Sequence, residues 1–380
     1  DNNENKVLNV PHLTFPKFSG EWEICKVSEL LDFYSTNSLS WEQLEYGEKA
    51  MMNLHYGLIH VGLPTMVDLR RDKLPNVKEG NMPKNFELCK EGDVAFADAS
   101  EDTNEVAKVI ELFNLDNKDI VCGLHTIHGR DNKNKTIVGF KGYAFSSSAF
   151  HNQIRRIAQG TKIYSISTKN FSECYVGIPS KAEQTKIATL LRLIDERIAT
   201  QNKIIEKLQS LIKGLNDNIH KGIKGETVCF SDLGEAYSGL SGKGGDDFGY
   251  GEPFITYMNV YQNTYISEKD YELVQIAPNE KQNSVQYGDA LFTLSSETPE
   301  EVGIGAVYLG NTQIFYLYSF CFGIHFYDER VLPQYLAHFI SSSSFRRAIY
   351  PLAQGSTRFN LQKNDFMKMK FLLPSLEKQG

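Results

Sequence analysis

The sequence predicts a mixed α/β (α+β) fold, in which two similar globular domains are joined by one long, coiled-coil-forming helix. The chain of 380 residues is too long for a single small core. The phrase "RRIAQGTKIYSI" from Arg155 returns as "YPLAQGSTRFNL" from Tyr350. Between these two copies, apolar residues recur at alternating steps of four and three. Two copies of one domain and a connecting helix account for all three observations.

The repeat extends well beyond the shared phrase. Gly160 aligns with Gly355 at an offset of 195 residues (355 − 160). At the same offset, and without a gap, identical residue types align with Phe150, Phe171, Pro179 and Gln184. Upstream, "EGDVAFADASED" resembles "YGDALFTLSSET" at an offset of 196. The period is several times longer than that of a solenoid repeat, so the sequence indicates a duplicated domain.

Each copy of the phrase predicts a helix followed by strands. Ser146–Ser148 offers N-caps for a helix over "AFHNQIRRIAQ", and Gly160 stands where a C′ glycine would end that helix. "KIYSIS" and "CYVGIP" then predict two strands of a hairpin. The second copy repeats the pattern from Ser341–Ser344 to "FLLP".

The connecting helix is the clearest element. Ser180 and Glu183 form a capping box, and the helix is predicted to run to about His220, with Gly222 beyond its end. At about 1.5 Å per residue, some 39 residues would make a rod of roughly 58 Å. A helical partner is expected to cover its apolar seam, in which Gln201 is the polar break. The predicted partner-helix interface has a positions at Leu191, Ile198, Ile205, Ile212 and Ile219, and d positions at Ile187, Ile194, Gln201, Leu208 and Leu215.

Composition excludes several classes of protein. No apolar run approaches the roughly 18 residues of a membrane span, and the polar N-terminus is unlike a signal peptide, so we expect a cytoplasmic location. The net charge of −7 argues against a broadly basic surface but leaves a local basic face open. The six cysteines contain no Cys-x-x-Cys pair, and His125 and His128 are spaced too closely for a metal-binding pair. We therefore expect no metal site, no cofactor and reduced core thiols.

Taken together, these features resemble the specificity subunit of a type I restriction–modification system, a bacterial defence complex. The most specific match is "IPSKAEQTKIATLLRLIDERI" (178–198), which resembles the join between a target-recognition domain and its spacer helix. The leader "NVPHLTFPKFSGEWE" (9–23) and the segment "GEPFITYMNVYQN" (251–263) are also similar to family segments. The order of these parts is distinctive. It implies a first recognition domain at 1–179 (leader 1–23), a spacer helix at 180–222 and a second recognition domain at 223–374.

The resemblance also implies partners and a role. Each recognition domain would bind one half of a split double-stranded DNA target. The subunit would dock modification (methyltransferase) subunits, which methylate adenine, and restriction/translocase subunits. Residues 375–380 would begin a second spacer helix that is missing or truncated, so we expect the exposed seam to support a self-dimer.

No catalytic residue is expected in this chain. It has no Pro-Pro pair for a methyltransferase motif, no G-x-x-x-x-G-K-[ST] phosphate loop and no G-x-S-x-G elbow. Two alternatives stay open. The chain could be a non-catalytic adaptor that binds only proteins, or the recognition module of a single-chain restriction–methylation enzyme. The position of the leader argues against an upstream catalytic domain.

The candidate DNA-binding residues come from basic, Asn-rich or aromatic loops, because Arg, Lys, Asn and Thr make most contacts to bases and phosphates. Three lie on a predicted loop tip within "HGRDNKNKTIVGFKG" (128–142), and the others flank the two repeated glycines or lie in 243–261. The predicted DNA-binding residues are Arg130, Lys133, Lys135, Thr161, Lys162, Tyr164, Lys243, Tyr257, Asn259, Tyr261, Thr357, Arg358 and Asn360.

Overall fold

The chain divides after Gln201, within its longest helix, into two units, Asp1–Gln201 and Asn202–Gly380. The computed structural model describes residues 15–47, 51–311 and 314–380. The first fourteen residues of the predicted leader lie outside the described part. Among the described residues, no helix has both the length and the apolar character that a membrane crossing requires.

The first unit is a mixed α/β body. Its strands are β1 Glu23–Lys26, β2 Asp32–Tyr34, β3 Leu44–Glu45, β4 Met51–Leu54, β5 Met66–Asp68, β6 Asn76–Val77, β7 Val94–Ala97, β8 Ala99–Ser100, β9 Val109–Asn114, β10 Asp119–Cys122, β11 Thr126–Arg130, β12 Tyr164–Ser165 and β13 Tyr175–Ile178. Its helices are α1 Val27–Leu30, α2 Tyr56–His60, α3 Lys141–Phe145, α4 Ser148–Ile157, α5 Thr168–Ser172 and the first part of α6 Lys181–Ile219.

The second unit repeats this arrangement. Its strands are β14 Glu226–Cys229, β15 Gly234–Ser238, β16 Phe248–Ile255, β17 Tyr271–Val274, β18 Ser284–Val285, β19 Ala290–Thr293, β20 Ser295–Ser296, β21 Gly305–Val307, β22 Phe315–Leu317, β23 Cys321–Phe326, β24 Ala353–Gln354, β25 Phe359–Leu361 and β26 Lys370–Leu373. Its further helices are α7 Phe230–Leu233, α8 Tyr257–Gln262, α9 Pro333–Ile340, α10 Ser343–Ile349, α11 Lys363–Lys368 and α12 Leu376–Gln379.

Sheet topology shows that the two units share one plan. The order β2-β11-β7-β9 in the first unit corresponds to β15-β23-β19-β21 in the second, and β10-β4 corresponds to β22-β16, a parallel pair in both units. The strands β1 and β13 pair antiparallel, as do β14 and β26. The duplication predicted from the sequence is therefore present in the fold.

Aromatic side chains fill equivalent cores. Phe96, Phe150 and Phe171 are fully buried together in the first unit, and Phe292, Phe345 and Phe366 occupy the same positions of the second. The rings meet edge to face or tilted, with centroids 4.6–6.2 Å apart. The sequence offset found for the phenylalanines thus reflects shared core packing.

The long helix α6 is confirmed at Lys181–Ile219, close to its predicted limits. Its first turn is fixed by Ser180, whose hydroxyl accepts from the Glu183 amide, and by Gln184, whose amide donates to the Pro179 carbonyl at 2.9 Å. Gln379 of α12 makes the same bond to the Pro374 carbonyl. The first turn of α6 is therefore repeated at Leu376–Gln379.

Two local predictions were wrong. The helix α4 ends at Ile157 with an extended residue after it, so Gly160 is not its C′ residue. The strands β12 and β13 do not form a hairpin, because β12 pairs with β8 and β13 with β1, and the short helix α5 lies between them. The strands β12 and β13 each pair with a strand that is far away in the sequence, and local sequence patterns do not reveal such pairing.

Candidate nucleic-acid interface

The repeated glycine opens a tight, exposed loop in each unit. Gly160 has φ +144° and Gly355 has φ +140°. A Cβ on either would lie about 2 Å from a carbonyl oxygen three residues later, Ile163 O at 1.9 Å and Arg358 O at 2.0 Å. The loop closes through paired backbones on either side, Gln159 with Ser165 and Gln354 with Asn360. The repeated phrase therefore encodes a loop in which the backbone folds back so closely on itself that only glycine fits at its first position.

Several predicted DNA-binding residues lie on these two loops. Thr161 and Lys162 are exposed in the first unit, as are Thr357, Arg358 and Asn360 in the second. Tyr164 is half-buried and packs against the core of its unit. Within the described part of the chain, the side chains of Lys162 and Arg358 make no hydrogen bond or ion pair. Each loop thus presents one unengaged cation to solvent.

The predicted loop-tip position of Arg130 was wrong. The strand β11 continues to Arg130, whose side chain is 8% exposed and forms ion pairs with Asp93 at 2.8 Å and Glu87 at 2.7 Å. Its guanidinium also lies 4.4 Å from the centre of the Tyr34 ring. These contacts occupy the side chain within the fold.

The other two basic residues of that segment lie nearer the surface. Lys133 is exposed and donates to the Glu29 carbonyl at 2.7 Å, and Lys135 pairs with Glu23 at 2.6 Å. Both pairs are exposed surface contacts, which contribute little to stability and exchange readily for other partners. The ammonium groups of Lys133 and Lys135 can therefore contact a DNA phosphate.

Two candidates of the second unit are engaged internally. Lys243 has a side chain 7% exposed and pairs with Glu280, and this ammonium lowers the pKa of Glu280 to about 2. Asn259 is fully buried, and its amide donates to the Ser267 and Asp270 carbonyls. In this conformation both side chains are held by contacts within the second unit.

Three predicted residues of the second unit meet around one cavity of about 460 Å³. Tyr257 and Tyr261 stack along α8, with ring centroids 5.8 Å apart, and Arg358 enters from the repeated loop. Arg358 is the one cation among the described residues that line this cavity. The lining residues are Tyr257, Met258, Tyr261, Ser295, Ser296, Glu297, Glu301, Tyr318, Phe320 and Arg358.

The polar groups of this cavity are held in place. The Tyr257 hydroxyl donates to the Ser295 carbonyl at 2.8 Å, and burial raises the pKa of that tyrosine. The Tyr261 hydroxyl donates to Glu301 at 2.7 Å, and this bond lowers the pKa of Glu301. A cation, ordered aromatic faces and a fixed carboxylate can contact a base edge or stack on a base.

The corresponding residues of the first unit are not apparent from the sequence. The parallel strand pairs place Leu54 opposite Cys122 and Ile255 opposite Leu317, so α2 and α8 start at equivalent points. Tyr56 therefore corresponds to Tyr257, and His60 to Tyr261. The sequence offset is 201 here (257 − 56) but 196 at the next repeated block, and this change conceals the match.

The predicted partner-helix interface is exposed over most of its length. Ile187 and Leu191 are half-buried beside the first unit, and Ile194 is 44% exposed. Gln201 is exposed. The remaining apolar seam residues are 50–69% exposed: Ile198, Ile205, Leu208, Ile212, Leu215 and Ile219. Three more apolar residues flank the seam at 45–57% exposure, namely Leu190, Ile204 and Leu211. Contiguous exposed apolar surface of this kind marks an interaction site.

Comparison with known proteins places these features in a family context. A profile described as "Type I restriction modification DNA specificity domain" matches residues 72–210. The specificity subunit of the type I restriction enzyme EcoKI from Escherichia coli (strain K12) is 24% identical over 266 residues. That alignment covers 64% of this chain but only 56% of the relative, so the chain spans little more than half of it. These two matches confirm the resemblance predicted from the sequence.

Two solved structures share the fold. One is the S subunit of a type I restriction–modification system from M. genitalium, with a TM-score of 0.52 and 13% identity, covering 94% of this chain and 86% of that one. The other belongs to a study of complex assembly and conformational transition of the type I R-M system, with a TM-score of 0.52 and 14% identity, covering 97% and 89%. At these identities the likeness establishes the fold alone.

Proposed function

From its resemblance to type I restriction–modification specificity subunits, we propose that this protein is the sequence-specific DNA-binding subunit of such a complex. It binds a double-stranded DNA target split into two blocks, one for each unit. It docks modification subunits, which methylate the target, and restriction/translocase subunits, which cleave DNA. It works in the cytoplasm, where the DNA is.

The observation that carries this proposal is the repeated exposed loop on a duplicated scaffold. Both loops have the same glycine and the same backbone pairing, yet one presents Lys162 and the other Arg358. Beside them, Tyr56 and His60 stand where the second unit has Tyr257 and Tyr261. Two domains that recognise different DNA sequences need the same backbone scaffold with different side chains, because side chains at base edges determine which bases are bound.

We infer that the chain binds DNA without transforming it. The groups around the second-unit cavity are hydroxyls, aromatic rings, two carboxylates and one guanidinium. These groups suit hydrogen bonds to base edges and stacking on bases. On the family resemblance, methylation is assigned to the modification subunits, and cleavage to the restriction subunits.

The exposed seam of α6 is the proposed docking element. Its apolar a and d positions, widened by the flanking leucines and isoleucine, form a face of about three positions in seven. Such a width is typical of a helix that packs in a bundle, whereas a strict two-stranded coil needs only two positions in seven. The proposed occupants are helices of the modification subunits, or a second copy of the chain when it is alone.

Salt dependence of DNA binding tests the function against the adaptor alternative. We expect the chain with its modification subunit to bind duplex DNA, with an affinity that falls by roughly 10³–10⁵ between 50 and 200 mM salt if six to ten phosphates are contacted. Fluorescence anisotropy with a labelled duplex measures this, and the modification subunit alone is the control. If adding the chain leaves the DNA affinity of the modification subunit unchanged at every salt concentration, the chain is instead an adaptor.

A further inference from the structure

Three metal-ligating side chains meet inside the first unit. The sulfurs of Cys89 and Cys122 lie 3.6 Å apart. Both sulfurs and a ring nitrogen of His128 lie within 4.8 Å of one another. All three residues are buried, at 5%, 2% and 0% exposure. Buried thiols and an imidazole at this separation form the ligand set of a thiolate metal site.

Two ligands of this cluster are close in the sequence, and the fold brings the third alongside them. Cys122 ends β10, and the bridge between Leu88 and Val121 brings Cys89 alongside it from 33 residues away. His128 follows Cys122 by six residues (128 − 122) and lies in β11, which belongs to a different sheet from β10. The expectation of no metal site rested on the absence of Cys-x-x-Cys pairs, and the strand pairing that brings Cys89 to Cys122 and His128 is not visible in the sequence.

The histidine is oriented as a ligand. Its Nε2 lies 2.7 Å from Asp93 Oδ2, and its Nδ1 is buried without a hydrogen-bond partner among the described residues. A buried polar atom without a partner is costly, and a metal ion would satisfy it. Histidines that bind metals usually hold a carboxylate on the other ring nitrogen, as Asp93 does here.

Distance and charge favour Zn²⁺. Tetrahedral zinc with Zn–S bonds of about 2.3 Å places two thiolates roughly 3.8 Å apart, close to the separation of Cys89 and Cys122. Two thiolates and a neutral imidazole around Zn²⁺ carry no net charge, which limits the cost of burial. Asp93 is already balanced by Arg130 at 2.8 Å. The fourth position would be left to water, since no further described ligand joins the group.

The second unit supplies an internal comparison. Val285 and Leu317 stand at the positions of Cys89 and Cys122, because Ser284 pairs with Tyr316 as Leu88 bridges Val121. Both are buried in that core. Gly323 replaces His128: it lies opposite Leu291 of β19, as His128 lies opposite Ala95 of β7. Here the Tyr237 hydroxyl donates instead to the equivalent carboxylate, Asp289, at 2.8 Å. The scaffold thus folds without thiols or imidazole at these positions.

We propose that Cys89, Cys122 and His128 form a zinc site that is confined to the first unit. On binding, each thiol releases its proton to solvent and each sulfur forms a bond to the metal, while His128 binds through Nδ1. The metal ties the end of β10 to β11 and to the segment around Cys89. It stabilises the unit.

Metal analysis of the full chain tests the site. Purified from zinc-supplemented medium without chelator, the protein is expected to hold one zinc per chain by inductively coupled plasma mass spectrometry. The double variant Cys89→Val/Cys122→Leu borrows the residues of the second unit, so it should fold and lose the zinc. A strong chelator should lower the Tm of the parent and leave that of the variant unchanged.

The matched control is Cys321→Thr, which borrows the residue of the first unit at that position, Thr126. This variant removes a buried thiol outside the cluster and is expected to keep its full zinc content. The proposal is overturned if the reduced parent chain binds no zinc when supplied with ZnCl₂, or if the double variant retains it. A disulfide between Cys89 and Cys122, found by mass spectrometry of the protein as purified, would also overturn it.

Discussion

Arg358→Ala is expected to weaken binding of the cognate DNA by about 5- to 150-fold, the 1–3 kcal/mol of one arginine–base contact. Arg358 is exposed on the repeated loop and is the cation of the described cavity, beside the stacked rings of Tyr257 and Tyr261. The loss should fall on one block of the target, because the loop belongs to one unit. Binding of the complex to duplexes substituted in either block measures this.

Two further variants serve as controls for Arg358→Ala. Arg347→Ala removes an exposed arginine of α10 that does not line the cavity, and it should change affinity only slightly. Lys162→Ala alters the loop of the first unit and should affect the other block. If Arg358→Ala and Arg347→Ala weaken binding equally and without regard to sequence, Arg358 contributes only general charge.

Ile205→Asp is expected to abolish the interaction of α6 with its helical partner. Ile205 is an a position at the middle of the seam and is 50% exposed. Burying an isoleucine contributes roughly 1.5–3 kcal/mol, and an unpaired carboxylate at the same place would cost several kcal/mol. The isolated chain should therefore change from dimer to monomer in sedimentation velocity, and complex formation with the modification subunit should fail.

Thr200→Asp is the matched control for the seam. Thr200 lies on the same helix at a c position and is exposed, so the same new charge there faces solvent. This variant should sediment and assemble like the parent. An Ile205→Asp chain that also behaves like the parent would show that the exposed stripe is not an interface.

The long helix could be predicted closely because its signals are local. The heptad pattern and the capping residues Ser180 and Glu183 all lie within the element itself. The duplication was equally accessible, since buried phenylalanines recur at a nearly constant offset. Features written into consecutive residues are visible without a structure.

Features that depend on strand pairing were not predictable. The Gly, Asn and Lys residues around Arg130 predict a loop tip, yet β11 extends to Arg130 and Asp93 pairs with its side chain. The first-unit counterparts Tyr56 and His60 cannot be aligned from the sequence alone, because the segment from α2 to β7 differs in length from the segment from α8 to β19. The approach of Cys89 to Cys122 and His128 likewise depends on which strands become neighbours.

Exchange of one recognition domain tests the central claim most directly. Residues 24–178 are replaced by the first recognition domain of another specificity subunit, and each chain is expressed with the same modification subunit. Adenine methylation is then mapped across the genome by long-read sequencing. The account predicts a split target in which one block changes and the other, bound by the second unit, stays the same. A continuous target, or two blocks that both change, would contradict independent DNA recognition by the two units.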